Sequence, residues 1–142
     1  MLILQYLAEG TDLLPADARG RVELTRWLCW QLAHWGKALG TVTFETLAPK
    51  FFEGYQADQA AIEKGRQELA RYAPVLEAHL ATRNFVLGDT LSIADFALAA
   101  PLVHAPLIGL GLEAYPHIAA WNARMHALPA WQKALPVMPA MA

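Results

Sequence analysis

The stretch from Leu91 to Phe96, Leu-Ser-Ile-Ala-Asp-Phe, constrains the fold of this chain more than any other part of the sequence. A serine followed three residues later by an acidic residue is the pattern of a reciprocal helix cap. The Ser92 hydroxyl can accept a hydrogen bond from the Asp95 backbone N–H, and the Asp95 carboxylate can reach the Ser92 backbone N–H. Leu91 and Phe96 occupy the positions of a hydrophobic staple around this cap. We therefore predict that a helix begins at Ser92.

The residues after this cap indicate that the helix is buried. Residues 96–112 carry no formal charge, a property that they share with membrane-spanning segments. The run is shorter than the ~20 residues that a spanning helix needs, and Pro101, Pro106 and Gly109 interrupt it. We interpret it as a core helix followed by a turn, which places the Ser92 cap inside the core.

The rest of the sequence predicts further helices and no strand. One helical pattern runs from Ala18 to about Phe52 and is apolar around most of its circumference, so it must be buried on more than one side. Gly36 and Gly40 weaken the middle of this helix, where we expect a kink. Asp58 opens a second long helix that continues to Leu80 with one charged face, as in an ordinary amphipathic helix.

Two shorter helices and a tail complete the prediction. The Ser92 helix is expected to run to about His104, and Pro116 begins a helix that continues to about Leu128. A short turn at 131–135 and a loosely held, proline-rich tail at 136–142 follow. The predicted fold class is all-α, a compact bundle of about five helices with the Ser92 helix innermost.

Composition excludes several classes of protein. A chain of 142 residues that is 56% hydrophobic is expected to form one folded domain with a proper core. The formal net charge of −2, without a basic cluster, predicts no nucleic-acid partner. The single cysteine, Cys29, excludes an internal disulfide and fits a reducing compartment, and no apolar leader opens the chain. We therefore expect a cytoplasmic protein with no membrane partner.

The side chains that carry chemistry form few constellations. The histidines have no spacing typical of metal ligands, so we expect no metal; they are His34, His79, His104, His117 and His126. Ser92 and Asp95 are committed to the cap, which argues against a catalytic triad. Cys29 is interpreted as an inert thiol, and there is no glycine-rich phosphate loop. The residues themselves therefore indicate no catalytic group.

One polar and aromatic stretch, residues 30–37, has two possible interpretations. On a helix, Gln31, His34 and Thr41 share one line with Trp27, while Trp35 flanks that line. Large aromatic side chains next to a histidine and a glutamine can form the wall of a pocket for an apolar ligand with one polar group. Alternatively, the tryptophans fill the core or a subunit interface.

The segment from Phe85 to Asp95 resembles the signature of the C-terminal, all-helical domain of the glutathione S-transferase family. Other landmarks follow in the family's order. Ile3–Glu9 resembles the end of the last helix of the preceding thioredoxin-like domain, and Leu13–Asp17 resembles the linker between the domains. Tyr115–Ile118, with Trp121, resembles the start of the penultimate helix. The resemblance implies a helical remnant at 1–9, a linker at 10–17 and a helical domain at 18–142.

The resemblance also implies which functional residues to expect. In this family the thioredoxin-like domain binds glutathione and supplies the catalytic residue, and here only its last helical turns are present. We therefore expect no catalytic residue and no cofactor bound by this chain alone, with glutathione as the cosubstrate of the complete family fold. Matching positions place His34, Trp35, Lys37 and Thr41 in the pocket for the hydrophobic electrophile.

Two functional hypotheses follow. In the first, the chain is the helical half of a detoxifying glutathione S-transferase, inactive in isolation because the other half is lost, cut off or supplied by another chain. It would supply the pocket wall and a homodimer contact through its two long helices. In the second, it is a non-catalytic helical module for oligomerisation or partner docking, as found in similar domains of translation factors.

Overall fold

The computed structural model describes residues 1–135, which form a helical bundle. No strand occurs in this part of the chain, and Phe85 and Gly88 form only an isolated bridge. The predicted all-α fold class is confirmed. The predicted tail at 136–142 lies outside the described residues. The α-helices are α1 (Leu2–Leu7), α2 (Ala18–Trp30), α3 (Gly36–Phe51), α4 (Gln59–Leu80), α5 (Ile93–Ala99), α6 (Pro116–His126) and α7 (Pro129–Ala134).

Helices α2 and α3 form one long rod, because a π-helical turn at Gln31–Trp35 joins them without a break. The sequence predicted an irregularity at Gly36 and Gly40, and the π turn lies immediately before Gly36. A π turn widens the helix by one residue and is often found at functional sites. Trp35 anchors it, since its indole Nε1 donates a 3.0 Å hydrogen bond to the carbonyl oxygen of Leu98 in α5.

Helix α5 is shorter than the sequence predicted. It ends at Ala99 and continues as a 3₁₀ helix over Ala100–Ile108, whereas we expected an α-helix to about His104. Pro101 and Pro106 lack the N–H that an α-helix requires, and the tighter 3₁₀ turn accommodates their loss. The 3₁₀ helix closes on Gly109, whose φ of 61° lies in the left-handed region. Arg66 of α4 donates a 2.9 Å hydrogen bond to the carbonyl oxygen of Ile108 and so caps the same end.

Local capping explains where the two long rods begin. The Asp17 carboxylate accepts a 2.9 Å hydrogen bond from the Gly20 N–H at the start of α2. That hydrogen bond also lowers the pKa of Asp17 below its ordinary value. At the start of α4, Asp58 accepts a 3.0 Å hydrogen bond from the Ala61 N–H. Both aspartates stand at N-cap positions, where a side-chain oxygen satisfies a helix amide that has no partner inside the helix.

Helix α6 is capped by a side chain that belongs to another helix. Pro116 occupies its first turn and has no N–H to offer. The next two amides donate to the Glu77 carboxylate of α4, His117 N to Oε1 at 3.0 Å and Ile118 N to Oε2 at 2.9 Å. A carboxylate at a helix N-terminus also interacts favourably with the helix dipole. Glu77 therefore fixes how α4 and α6 pack.

The core surrounds α5. Six of its seven residues are buried, with Phe96 half-buried as the exception. Across from it, α3 and α4 approach closely at Gly65, where a Cβ atom would lie 2.7 Å from Val42 Cγ2. Among the described residues, no helix is long and apolar enough to span a membrane.

Candidate functional site

The Asp95 carboxylate is the centre of the largest buried hydrogen-bond cluster around α5. Its Oδ2 accepts hydrogen bonds from the backbone N–H and the hydroxyl of Ser92, both at 2.9 Å. Its Oδ1 accepts from the Val86 N–H at 2.8 Å and from the Trp121 indole Nε1 at 2.9 Å. Asp95 is 0% exposed and Ser92 is 3% exposed. All four donors are thus held by one side chain that is closed to solvent, which assigns it a structural role.

The Ser92 end of this cluster is the reciprocal capping box that the sequence predicts: the Ser92 side chain accepts from the Asp95 backbone N–H, and the Asp95 side chain accepts from the Ser92 backbone N–H. Ser92 stands at the N-cap of α5, and the Asp95 side chain reaches back to its N–H. The Ser92 hydroxyl donates to the same carboxylate, and the Asp95 backbone N–H donates to the Ser92 carbonyl oxygen at 3.1 Å. Leu91 and Phe96 are half-buried and pack on the core.

His79 extends the cluster toward α4. Its Nε2 donates to the Val86 carbonyl oxygen at 2.7 Å, so the Val86 residue is held by Asp95 through its N–H and by His79 through its C=O. The His79 ring lies against Trp27, with 4.4 Å between ring centroids. Burial lowers the pKa of His79 below its ordinary value; the bond to Val86 and the charge of Glu23 act in the opposite direction, while Arg83 and Arg26 add to the lowering. The fold therefore favours the neutral form of His79 more than water does.

The residues predicted to line an electrophile pocket lie on the rod formed by α2, the π turn and α3. The His34 ring is half-buried, 4.8 Å from the Tyr72 ring of α4 and 6.5 Å from Trp30. Thr41 is half-buried and Lys37 is exposed. These three residues occupy a polar, partly accessible part of the rod.

Trp35 differs from the other three predicted residues. It is 1% exposed, its Nε1 is bonded to Leu98, and its ring is stacked on Trp30 with centroids 5.9 Å apart. The structure thus places Trp35 in the core beneath the surface that carries His34. It does not bring the four predicted residues together as one wall.

An apolar groove that the sequence did not predict lies between α1, the π turn, α5 and α7. It encloses about 430 Å³. We call it the α5–α7 groove. No charged side chain lines it, and Gln31 is the one amide among apolar neighbours; the lining residues are Met1, Leu4, Gln31, Phe96, Ala97, Ala100, Pro101, Ala130, Trp131 and Ala134. Four separate segments contribute to it, so no local pattern in the sequence could have indicated it.

A second cavity of about 450 Å³ lies between the linker, the start of α2, the end of α4 and the loop before α5. Side chains of both charges line it, among them Asp12, Glu23, Arg19 and Arg83. Glu23 is already paired with Arg26 at 2.7 Å. This mixture favours no particular charge on a ligand. Within residues 1–135, no group of three or more histidine, cysteine or acidic side chains is arranged to hold a metal ion.

Comparison with known proteins decides the family. A family model described as the glutathione S-transferase C-terminal domain matches residues 37–129, which is more than half of the chain. The chain belongs to the glutathione S-transferase family. Because the match rests on the helical domain, the resemblance deduced from Phe85–Asp95 is confirmed for this part of the family fold.

Similar proteins agree with this membership in the glutathione S-transferase family. Glutathione S-transferase 3 of Zea mays is 36% identical over 139 residues, which cover 95% of this chain and 61% of that relative. The disulfide-bond oxidoreductase YfcG of Escherichia coli is 35% identical over 136 residues, covering 94% of this chain and 60% of that protein. A glutathione transferase of Burkholderia graminis, whose structure has two glutathione molecules per subunit, superposes with a TM-score of 0.81 at 29% identity, over 98% of this chain and 59% of that one. The chain thus spans about three fifths of the length of these relatives.

Proposed function

We propose that this chain is the helical half of a glutathione transferase and contributes the pocket wall for an apolar electrophile. The observation that carries the proposal is the family match over 37–129 in a chain that spans only 61% of the maize relative. The part of the fold beyond this chain would bind glutathione and activate its thiol. Hydrogen bonding to the thiolate favours its charged form and so lowers the thiol pKa.

The reaction that such a protein would perform is a nucleophilic transfer. The glutathione thiolate donates an electron pair to an electrophilic carbon, a C–S bond forms, and the leaving group departs with the bonding pair. His34, Lys37 and Thr41 would border the electrophile on this half. Their support is their position on one rod, and the His34 ring lies beside Trp30 and Tyr72, which offer apolar surface next to a polar group.

The same proposal includes a homodimer formed through the two long rods, α2–α3 and α4. Large apolar side chains on these rods are exposed, namely Val22, Leu32, Phe44 and Val75. Where such exposed side chains form one large apolar patch, the patch usually marks a protein–protein interface. Sedimentation of the chain at micromolar concentration tests this contact. A monomer that binds no apolar dye would contradict it.

The enzymatic proposal is tested by comparing two proteins. The first is the chain itself, and the second is the chain fused behind the segment of the maize relative that it does not match. We expect the chain alone to show no conjugation of an aryl halide with glutathione and no retention on immobilised glutathione. The fusion should show both. Turnover by the chain alone would overturn the proposal that the other half supplies catalysis.

A second candidate function is a non-catalytic module for oligomerisation or partner docking. It is favoured by α1, whose large apolar side chains Leu2, Ile3, Tyr6 and Leu7 are between 69% and 81% exposed. Exposed apolar surface on a short helix indicates that another polypeptide packs there. A fusion that folds and is retained on immobilised glutathione, but conjugates no electrophile, would favour this second function.

A further inference from the structure

We propose that a polar cavity beside the end of α4 binds the phosphate group of a small phosphorylated molecule. The cavity encloses about 260 Å³ between the last residues of α4, the loop that follows them and one face of α6. We call it the α4–α6 cavity. Most of its lining side chains carry hydrogen-bonding groups, namely Thr82, Arg83, Asn84, Asp89, His117 and Arg124.

Two arginines from distant parts of the chain line this cavity, and the backbone holds each of them in place. Arg83 Nη1 donates a 2.9 Å hydrogen bond to the carbonyl oxygen of His79, and Arg124 Nε donates a 3.0 Å hydrogen bond to the carbonyl oxygen of Asn84. A guanidinium carries five N–H donors, so each arginine keeps donors that these bonds do not use. Because the two side chains are already positioned, a ligand that binds them loses less affinity to side-chain ordering.

The charges around the cavity favour an anion. In the described part of the chain, no carboxylate lies within 4.0 Å of the guanidinium of Arg83 or Arg124. Asp89 is the one acidic residue of the lining, and its Oδ1 already accepts a 3.0 Å hydrogen bond from the Asn84 side-chain amide. Two permanent positive charges thus stand against one negative charge, although the whole chain has a formal net charge of −2.

The carbonyl groups at the end of α4 would repel an anion if they were free, since the C-terminal end of a helix is partially negative. Arg83 occupies two of them. Its side chain binds the His79 carbonyl oxygen, and its backbone N–H donates a 3.2 Å hydrogen bond to the Leu80 carbonyl oxygen. The same residue therefore satisfies the end of the helix and supplies a positive charge to the cavity.

Helix α6 presents a face that completes the cavity. His117, Ala120 and Arg124 are three and four residues apart and so lie on one side of the helix. The small side chain of Ala120 leaves space between its two longer neighbours. His117 Nε2 lies 4.0 Å from Glu77 Oε1, and both oxygens of Glu77 accept hydrogen bonds from α6 amides. His117 thus adds a polar group to the arginines at the opposite end of this face.

The chemistry of this lining matches a phosphate monoester. Arginine binds phosphate oxygens through paired N–H groups in a fixed planar geometry, and two guanidiniums can share the three terminal oxygens of one phosphate. The free oxygen of Asp89 can accept a hydrogen bond from a hydroxyl group elsewhere on the ligand. The apolar lining residues are only Leu80, Ala81 and Ala120, so the cavity offers little surface to an acyl chain or an aromatic ring. These features favour a small, hydroxyl-bearing phosphate over a lipid.

The test is isothermal titration calorimetry of the chain with glycerol phosphate and with inorganic phosphate, at constant ionic strength because exposed charges are screened by salt. We expect saturable binding of one glycerol phosphate per chain. Arg83→Gln and Arg124→Gln should each weaken it ~tenfold, since each removes charge-assisted hydrogen bonds. Arg71→Gln, at an exposed arginine of α4 that does not line the cavity, removes the same charge and should leave the affinity unchanged.

A second variant distinguishes loss of the site from loss of structure. Asp89→Asn keeps an acceptor for the Asn84 amide and removes the negative charge of the lining. It should strengthen binding by ~threefold, because a like charge no longer opposes the phosphate. A substitution that only disturbed the fold would not increase the affinity.

The outcomes decide the inference without reference to glutathione chemistry. Saturable binding that both cavity arginines support, that Arg71→Gln preserves and that Asp89→Asn strengthens would establish the site. Absence of saturable binding would overturn it, and so would an equal loss in Arg71→Gln, which would indicate attraction by overall charge. Adsorption to vesicles that contain phosphorylated headgroups, without binding of glycerol phosphate, would replace the small molecule by a membrane and refute the proposal.

Discussion

The indole Nε1 of Trp121 donates a 2.9 Å hydrogen bond to Asp95 Oδ1, and both side chains are completely buried. This bond joins α6 to the first turn of α5 across 26 residues of sequence. The same oxygen accepts from the Val86 N–H, so the loop before α5 is tied to the same point. Three segments therefore depend on one carboxylate for their relative positions.

We expect Asp95→Ala to destabilise the protein by about 3–5 kcal/mol, since it leaves several buried donors without an acceptor. Trp121→Phe removes one donor and keeps an aromatic ring, and it should cost about 1–3 kcal/mol. Ser92→Ala removes only the hydroxyl and should cost about 1–2 kcal/mol. Urea denaturation followed by far-UV circular dichroism measures these differences. An Asp95→Ala variant as stable as the wild type would show that the cluster is dispensable.

The second prediction concerns the crossing of α3 and α4. Gly65→Ala should destabilise the protein by about 1–3 kcal/mol despite the better helix propensity of alanine, because the new Cβ would lie 2.7 Å from Val42 Cγ2. The matched control is Gly40→Ala, at an exposed glycine of α3 with no atom within 4 Å. There we expect a gain of up to about 1 kcal/mol. Thermal denaturation of both variants distinguishes helix propensity from packing, and equal shifts in Tm would contradict this account.

Glu77 lies in α4, but we expect it to stabilise the protein by capping α6. Glu77→Ala leaves the amides of His117 and Ile118 without their acceptor and is expected to cost on the order of 1–2 kcal/mol. Amide exchange at the start of α6 should accelerate. Glu63→Ala, which removes an exposed carboxylate bonded to Gln67 on the same helix, provides the comparison and should change stability by less than about 0.5 kcal/mol. Unchanged exchange at the start of α6 in Glu77→Ala would exclude the cap.

The pH dependence of stability should report on His79. Burial holds the folded-state pKa of His79 below its ordinary value, so the unfolded chain takes up the proton first as the pH falls. The free energy of unfolding should therefore be greatest above the ordinary histidine pKa of about 6.5 and should decrease as the pH falls from there toward the folded-state pKa.

His79→Gln removes this titration and retains an N–H donor for the Val86 carbonyl oxygen. We expect the unfolding free energy of this variant to vary less between about pH 7 and pH 5, a window that begins just above the ordinary histidine pKa of about 6.5. Denaturant midpoints measured across this pH range for the wild type and the variant show whether the slope has decreased. A His79→Gln variant with the wild-type slope would assign the dependence to other groups.

Some features of the fold follow from local chemistry and were therefore predictable from the sequence. Asp58 and Ser92 were predicted to begin helices, and each stands at an N-cap in the structure. A cap acts between residues two or three apart, so its signal lies within a few letters of sequence. The end of α5 was less predictable. Pro101 marks a disturbance, but whether the chain stops, kinks or tightens into a 3₁₀ helix depends on what surrounds it.

The candidate site shows the limit of such reasoning. Helical spacing predicted that His34 and Trp35 lie next to each other. It could not indicate which side of the rod other helices would cover. The π turn and the hydrogen bond to Leu98 bury Trp35, whereas His34 lies against Tyr72 and remains partly accessible. The alanines of the α5–α7 groove carry no local signal at all.

The sequence by itself determined the helical class, the capped start of α5 and the family to which the chain belongs, because these depend on short-range patterns and on the order of landmarks. Tertiary structure alone decided that Asp95 would gather donors from Val86 and Trp121, that Glu77 would cap a different helix, and that α1, α5 and α7 would enclose an apolar groove. Hydrogen bonds and packing between distant segments depend on how the helices lie against one another. That arrangement is a property of the whole core, and no window of sequence contains it.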